Sequence, residues 1–176
     1  QARTLTDLLH HDTQYPPGAR VLEAGCGTGA QTVILAKNSP EAEITSIDIS
    51  PDSIRRAGER VRAEGIANVT FRTGDLFSLP FAPESFDHVF VCFVLEHLAD
   101  PKGALAALRP LIRPGGTITV IEGDHGSAYF HPKSAAADAA IRCLVALQQE
   151  AGGNALIGRE LYPLLASAGY ADVNVS

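Results

Sequence analysis

The sequence predicts an α/β chain built on a doubly wound, mainly parallel sheet with helices on both faces. Three observations carry that prediction. Apolar, β-branched runs near 20–23, 44–48, 69–72, 86–92 and 116–122 alternate with helix-period segments near 30–38, 51–64 and 101–109. Such alternation gives parallel strands joined by right-handed crossovers. The first run leads straight into alternating glycines, Gly25, Gly27 and Gly29. Acids stand at or beyond the carboxyl ends of the first three runs, Glu23, Asp48 and Asp75, where open sheets of this kind bind ligands.

The elements follow in order. An amphipathic helix opens the chain with Leu5, Leu8 and Leu9 inward and His10-His11 on its surface, and Tyr15-Pro-Pro-Gly18 ends it. Val21-Leu-Glu-Ala-Gly25 is a buried strand running into a tight turn, and apolar residues return at Val33–Ala36 as a helix. Glycine suits that turn because it reaches φ > 0 and lets a ligand lie against bare backbone. The helix N-terminus behind it offers unpaired N–H groups. These letters also satisfy the dinucleotide pattern, read as Gly25, Gly27 and Ala30, so the glycines alone leave the ligand open.

The second strand ends in Asp48, about twenty residues on, where a carboxylate accepts from both hydroxyls of a ribose. Asp48 therefore marks a nucleoside without naming it. Ser50 is an N-cap with Pro51 at the first helical position, and Ile54, Ala57 and Val61 form the buried stripe. Gly65 stops the helix, while Arg55, Arg56, Arg60 and Arg62 form a solvated face. Gly74-Asp75-Leu76 closes the third strand. Phe86-Asp87 opens the fourth, which leads into Leu95-Glu-His-Leu98, and Arg113-Pro-Gly-Gly116 precedes the fifth.

At 176 residues the chain is one domain, 1–176. A net charge of −6 with scattered arginines gives no basic stripe, which argues against nucleic acid as a partner. Cys26, Cys92 and Cys143 form no C-x-x-C pair and read as buried thiols of a reducing compartment. Without a signal peptide or spanning run, the expected location is cytoplasmic, with no membrane partner. Gln1 does not read as a native start, so an upstream extension is expected.

Beyond the fifth strand the pattern turns polar, aromatic and glycine-broken at 122–132, then helical over about 133–150 and 158–168. Segment 123–157 is expected to be an insertion forming a lid on the substrate side, with Gly123, Gly126, Gly152 and Gly153 as its flexible points. Residues 171–176 are expected to form a sixth strand.

The stretch Glu23-Ala-Gly25-Cys26-Gly27-Thr-Gly29 resembles motif I of the class I S-adenosylmethionine-dependent methyltransferases, an acid followed by alternating glycines. Asp48, Gly74-Asp75 and the Phe86–Leu98 region resemble the family's next three motifs, so the resemblance covers residues 19–122. It implies the Rossmann-like fold of that family and S-adenosyl-L-methionine as cofactor, with S-adenosyl-L-homocysteine as product. It also implies a seventh, antiparallel strand that these residues do not include, so the C-terminal strand is expected to be missing. By the same resemblance the glycine loop, with Gly25 and Gly27, lies under the methionine end of the donor, Asp48 holds the ribose, and Glu23, Cys26, Gln31 and Ile49 are further cofactor-binding residues. Gly74, Asp75 and Leu76 hold the adenine. Backbone at Cys92 and Phe93 holds the amino group.

Methyl transfer from a sulfonium needs alignment and, for a protonated acceptor, a base. His125 and Asp124, directly after the fifth strand, are the first candidates. His97 in the Glu-His pair is the next, and His131 follows. Their spacing matches no metal-ligand pattern, so no metal is expected. The turn after the fourth strand lacks the Asn/Asp-Pro-Pro-aromatic motif of amino-methylating nucleic-acid enzymes. The expected function is methyl transfer to the oxygen, nitrogen or carbon of a small-molecule acceptor, with a homodimer allowed. The alternatives are an NAD(P)-binding Rossmann oxidoreductase and a non-catalytic S-adenosylmethionine-binding module.

Overall fold

The computed structural model describes residues 9–10 and 13–175. Two compact units divide the chain: Gln1–Cys92 with Ala107–Val120, and Phe93–Ala106 with Ile121–Ser176. The first is organised by the sheet. Its strands are β1 (Arg20–Ala24), β2 (Glu43–Asp48), β3 (Val69–Thr73), β4 (Phe86–Cys92) and β5 (Ile112–Ile121), in the spatial order β3-β2-β1-β4-β5. The β1–β2, β1–β4 and β2–β3 pairs are parallel. The order reverses between β1 and β4, which is the doubly wound arrangement and puts the ligand edge at the carboxyl ends of the central strands.

The central strands are covered on both faces. Val21 and Leu22 of β1 and Val89, Phe90 and Val91 of β4 are fully buried. Each such side chain contributes roughly 1.5–3 kcal/mol by leaving water. Helix α1 (Ala30–Asn38) follows the glycine turn, and α2 (Pro51–Ala63) follows β2. Ser50 caps α2 by accepting from the Ser53 amide at 3.2 Å, with Pro51 in the first turn. Ala57 and Val61 are buried, while Arg55 and Arg56 pair with Asp52 and Glu59 at the surface. Gly65 ends the helix at φ 68°.

In the second unit α3 (Pro101–Leu108) begins behind Asp100, whose carboxylate accepts from the Gly103 amide at 2.8 Å. α4 (Ala135–Glu150) is capped by Ser134, and α5 (Leu161–Ser167) ends the regular structure.

Several expectations are corrected. β5 starts four residues early, at Ile112. Its Pro114 is tolerated because β5 ends the strand order, where a missing N–H disrupts no central ladder. The second late helix is split into a 3-10 turn at Ile157–Glu160 and α5, with Pro163 kept to the first turn of α5. No sixth strand forms over 171–175, where Asp172 takes a left-handed φ of 53° that interrupts extension. Of the opening helix, Leu9 and His10 are helical, and Leu5, Leu8 and His11 lie outside the described residues. His10 is 2% exposed rather than on the surface, and its ring stacks on Phe90. Cys143 is exposed, whereas Cys26 and Cys92 are buried.

Candidate functional site

At the carboxyl edge of β1, β2 and β3 the backbone is stitched into one rim. The amides of Gly25 and Cys26 both donate to the Ile47 carbonyl, at 2.9 and 2.8 Å. The Gly27 amide donates to Asp48 Oδ2 at 2.8 Å, and the Ser50 amide to Asp48 Oδ1 at 2.9 Å. The Gly74 amide donates to the Asp48 carbonyl at 3.0 Å, which joins the end of β3 to the same point. Asp48 is thus the hub of the rim. Gly27, Ser50 and Gly74 all bond to it.

Two glycines of the turn serve different ends. Gly29 caps α1 at φ 78°, and a Cβ there would stand 2.9 Å from the backbone of Ala57, so helix packing excludes any side chain. Gly27, at φ 52°, would meet nothing within 4 Å, so the space above it is open. That open, side-chain-free surface is the cradle a ligand needs.

Glu23 lies behind this surface rather than on it. It is 2% exposed, and its Oε2 accepts from Thr32 at 2.7 Å and from Ser46 at 2.6 Å. Burial pushes its carboxyl up to about 7, against the pull of those two hydrogen bonds. Cys26 is buried and its thiol is raised by burial, which leaves its backbone as the useful part. Gln31, in the first turn of α1, has its side-chain oxygen 2.7 Å from His10 Nε2.

Asp75 follows β3 with an exposed carboxylate whose Oδ1 accepts from the Phe77 amide at 3.0 Å. Ile49 is 71% exposed and Phe77 47%, both beside acid-bearing turns, and Leu76 is half-buried. Apolar side chains left in water there offer flat surface to a ring. Cys92 closes β4, and Phe93 opens the second unit at a left-handed φ of 56°.

The second unit holds the candidate bases. Asp124 is engaged by four donors: the Gly126 amide, the Ser127 hydroxyl, and Arg159 through Nε and Nη2 at 2.9 and 2.8 Å. The hydrogen bond from Arg159 holds its carboxyl below the usual range. His97 is largely exposed, while His125 is mostly covered. Each has Nε2 3.5 Å from one oxygen of the buried Glu96, which stands between them. His131 is exposed.

Glu122 directly follows β5, an acid at a strand's carboxyl end as Asp48 is for β2. Its Oε1 accepts from the Val94 and Leu95 amides at 2.8 and 2.7 Å, and burial pushes its carboxyl up to about 7. Its other oxygen has no partner among the described residues.

Two of the four glycines expected as flexible points, Gly126 and Gly153, stand in crowded places. A Cβ on Gly153 would strike the Glu96 carbonyl, and one on Gly126 would crowd Arg159 and Leu156. Gly152 turns the chain at φ 85° after α4. The two ends of the segment are tied, since the Gly158 amide donates to the Gly123 carbonyl at 3.1 Å.

Sequence reasoning misses Thr32, Ser46, Glu122 and His10. Ser46 carries a usable signal, a hydroxyl inside a strand buried on both faces, and Glu122 repeats the acid-at-strand-end pattern. His10 carries none, since Phe90 and Gln31, which its ring meets, lie far along the chain. Among the described residues no cluster of His, Cys, Asp or Glu is placed to hold a metal, and no helix is long and apolar enough to cross a membrane.

A family model described as a methyltransferase domain matches residues 16–169. An uncharacterised methyltransferase of Schizosaccharomyces pombe is 34% identical over 162 residues, covering 89% of this chain and 58% of that protein. A demethylmenaquinone methyltransferase of Tropheryma whipplei is 36% identical over 117 residues, 65% of this chain and 46% of its own length. The phosphoethanolamine N-methyltransferase 2 of Haemonchus contortus, solved with phosphomonomethylethanolamine and S-adenosylhomocysteine, superposes with a TM-score of 0.75. It is 21% identical, with 99% of this chain and 38% of that one covered, and so speaks to the fold. The chain spans about half the length of the curated relatives it matches, between 35% and 58% for the first three. The glycine pattern alone admitted a dinucleotide; the match across 16–169 resolves that choice. The chain belongs to the class I S-adenosylmethionine-dependent methyltransferase domain family, with its Rossmann-like fold.

Proposed function

We propose that this chain binds S-adenosyl-L-methionine along the β1–β3 rim and transfers its methyl group to the oxygen, nitrogen or carbon of a small-molecule acceptor. The observation that carries the reading is the open cradle at Gly27, fixed from below by Asp48. When bound, S-adenosyl-L-methionine supplies a methyl carbon already activated by its sulfonium, and S-adenosyl-L-homocysteine remains. The chain's own work is therefore alignment. Gly25, Cys26 and Gly27 present bare backbone, and Gln31 and the first amides of α1 receive the carboxylate. Each oxygen of Asp48 makes one backbone hydrogen bond and keeps a lone pair for a ribose hydroxyl. Gly74, Asp75 and Leu76 take the adenine between exposed Ile49 and Phe77, and the backbone of Cys92 and Phe93 takes the amino group.

His125, next to Glu96, is the proposed base for an acceptor that must lose a proton. Asp124 is assigned to its ion pair with Arg159, and His97 is held second because of its exposure. Segment 123–157 is proposed as the cover of the acceptor, its tied ends supporting the reading of a closed insertion. The net charge of −6 supports a small-molecule acceptor over nucleic acid. Thiols outside any disulfide support a reducing cytoplasm.

Calorimetric titration with S-adenosyl-L-methionine, S-adenosyl-L-homocysteine and NAD tests the donor, and a methyl-acceptor screen with labelled donor tests the transfer. Binding of the first two without NAD is expected. A preference for NAD would overturn the proposal. Donor binding with no acceptor methylated would make the chain a binding module.

A further inference from the structure

We propose that His10 is a positioning residue for Gln31, setting the side-chain amide of Gln31 to receive the carboxylate of the methyl donor. The inference rests on the donor reading above and adds to it a residue outside the glycine turn.

The argument begins with the buried ring. His10 is 2% exposed, stacks on Phe90 at a centroid distance of 5.5 Å, and lies beside Thr13, which is 1% exposed. Burial lowers its pKa below 6.5, so the ring is neutral and carries one proton at neutral pH. An amide oxygen can only accept, so the proton is on Nε2, which donates to Gln31 Oε1 at 2.7 Å. Nδ1 is then an acceptor 2.8 Å from the Thr13 hydroxyl, whose one hydrogen also lies within reach of the His10 carbonyl at 3.1 Å. Every polar atom of the ring is used, and the stack on Phe90 fixes its plane.

The consequence falls on Gln31. With its oxygen taken, the amide turns its two N–H hydrogens away from the ring. Gln31 is half-buried, in the first turn of α1. The first intrahelical bond there is made by Val33 to the Gly29 carbonyl, so the amides of Ala30 and Gln31 have no partner inside the helix. No cap side chain satisfies them. Among the described residues the free amides of Ala30 and Gln31 and the Gln31 N–H2 group are donors, which suits a carboxylate. A glutamine loses much rotamer freedom when it is fixed. His10 imposes that loss at folding, so that it need not be met at binding.

The experiment compares two ligands by calorimetry. S-adenosyl-L-homocysteine carries the carboxylate, whereas 5′-methylthioadenosine lacks the whole amino-acid end. His10→Leu keeps an apolar neighbour for Phe90 and removes the donor to Gln31. It is expected to raise the Kd for S-adenosyl-L-homocysteine about tenfold while leaving 5′-methylthioadenosine unchanged. His10→Gln returns an N–H near the place of Nε2 and should restore most of the affinity. Gln31→Ala should lose a similar factor, and adding His10→Leu to it should lose little more, because the two act as one unit. Gln31→Glu keeps the oxygen that His10 holds but replaces the N–H2 by a charged oxygen. It should bind S-adenosyl-L-homocysteine more weakly than Gln31→Ala does. Equal losses for both ligands, additive losses in the double variant, or a Gln31→Glu chain as good as Gln31→Ala would overturn the proposal. A wild-type chain that binds neither ligand would instead overturn the donor reading on which it rests.

Discussion

The carboxylate of Asp48 accepts the amide hydrogen of Gly27 at 2.8 Å, so the acid that closes β2 also fixes the middle glycine of the turn after β1. The same carboxylate holds the Ser50 amide at the start of α2. Asp48→Ala should therefore act twice. Loss of two charge-assisted bonds lowers folding stability by about 1–3 kcal/mol. Loss of the ribose acceptor weakens S-adenosyl-L-homocysteine binding by roughly a hundredfold, equivalent to about 2–3 kcal/mol. Chemical denaturation reads the first effect and calorimetry the second. A folded variant of unchanged affinity would remove Asp48 from the donor site.

Gly27 and Gly29 should separate binding from folding. Both have positive φ, so any side chain brings left-handed strain of about 1–2 kcal/mol. At Gly29 the added carbon also meets Ala57, so Gly29→Ala is expected to be the more destabilising substitution. At Gly27 the carbon enters open space, so Gly27→Val should fold and yet bind no donor. A Gly27→Val chain that retains affinity would show that the turn is not the cradle.

Much of this architecture was legible in the chain because parallel strands are buried on both faces and read as unbroken apolar runs, as Val89–Val91 does in β4. The acids and glycines were legible because chemistry at a strand end needs few residue types. What escaped was set by contacts distant in sequence. His10 beside His11 reads as surface, yet its ring stacks on Phe90 and bonds to Gln31, both far along the chain. Residues 171–175 carry a strand-like alternation, but Asp172 takes a left-handed conformation there. The partner of Asp124, Arg159, lies 35 residues further along the chain and nothing near Asp124 in sequence points to it.

That last pairing is itself testable. If Asp124 serves the ion pair, Asp124→Asn and Arg159→Leu should share one phenotype, and the double variant should be no worse than either. Because Arg159 is exposed, the melting temperature should move little. Amide hydrogen exchange should instead quicken at Gly126, whose N–H donates to the Asp124 carboxylate. Turnover lost in Asp124→Asn but kept in Arg159→Leu would return Asp124 to the list of catalytic groups.

Glu23 gives the chain a predictable dependence on pH. Its carboxyl sits at about 7 when folded, against an ordinary value of 4.5, because burial disfavours the charge. Below about pH 4 folded and unfolded chains alike carry the proton, and Glu23 has no effect. As pH rises through 4.5, the unfolded chain releases its proton while the folded chain keeps it. Stability therefore falls across the window from 4.5 to about 7 and stays level above it. The full loss is on the order of 3 kcal/mol. Glu23→Gln keeps an oxygen for Ser46 and Thr32 but has nothing to titrate. Whatever it changes through its N–H2 group is the same at every pH. The stability of Glu23→Gln relative to wild type, measured by denaturant unfolding, should therefore be greater at pH 8 than at pH 5. Parallel pH profiles for the two proteins would mean that Glu23 is ionised in its buried site, with Ser46 and Thr32 sufficient to hold the charge.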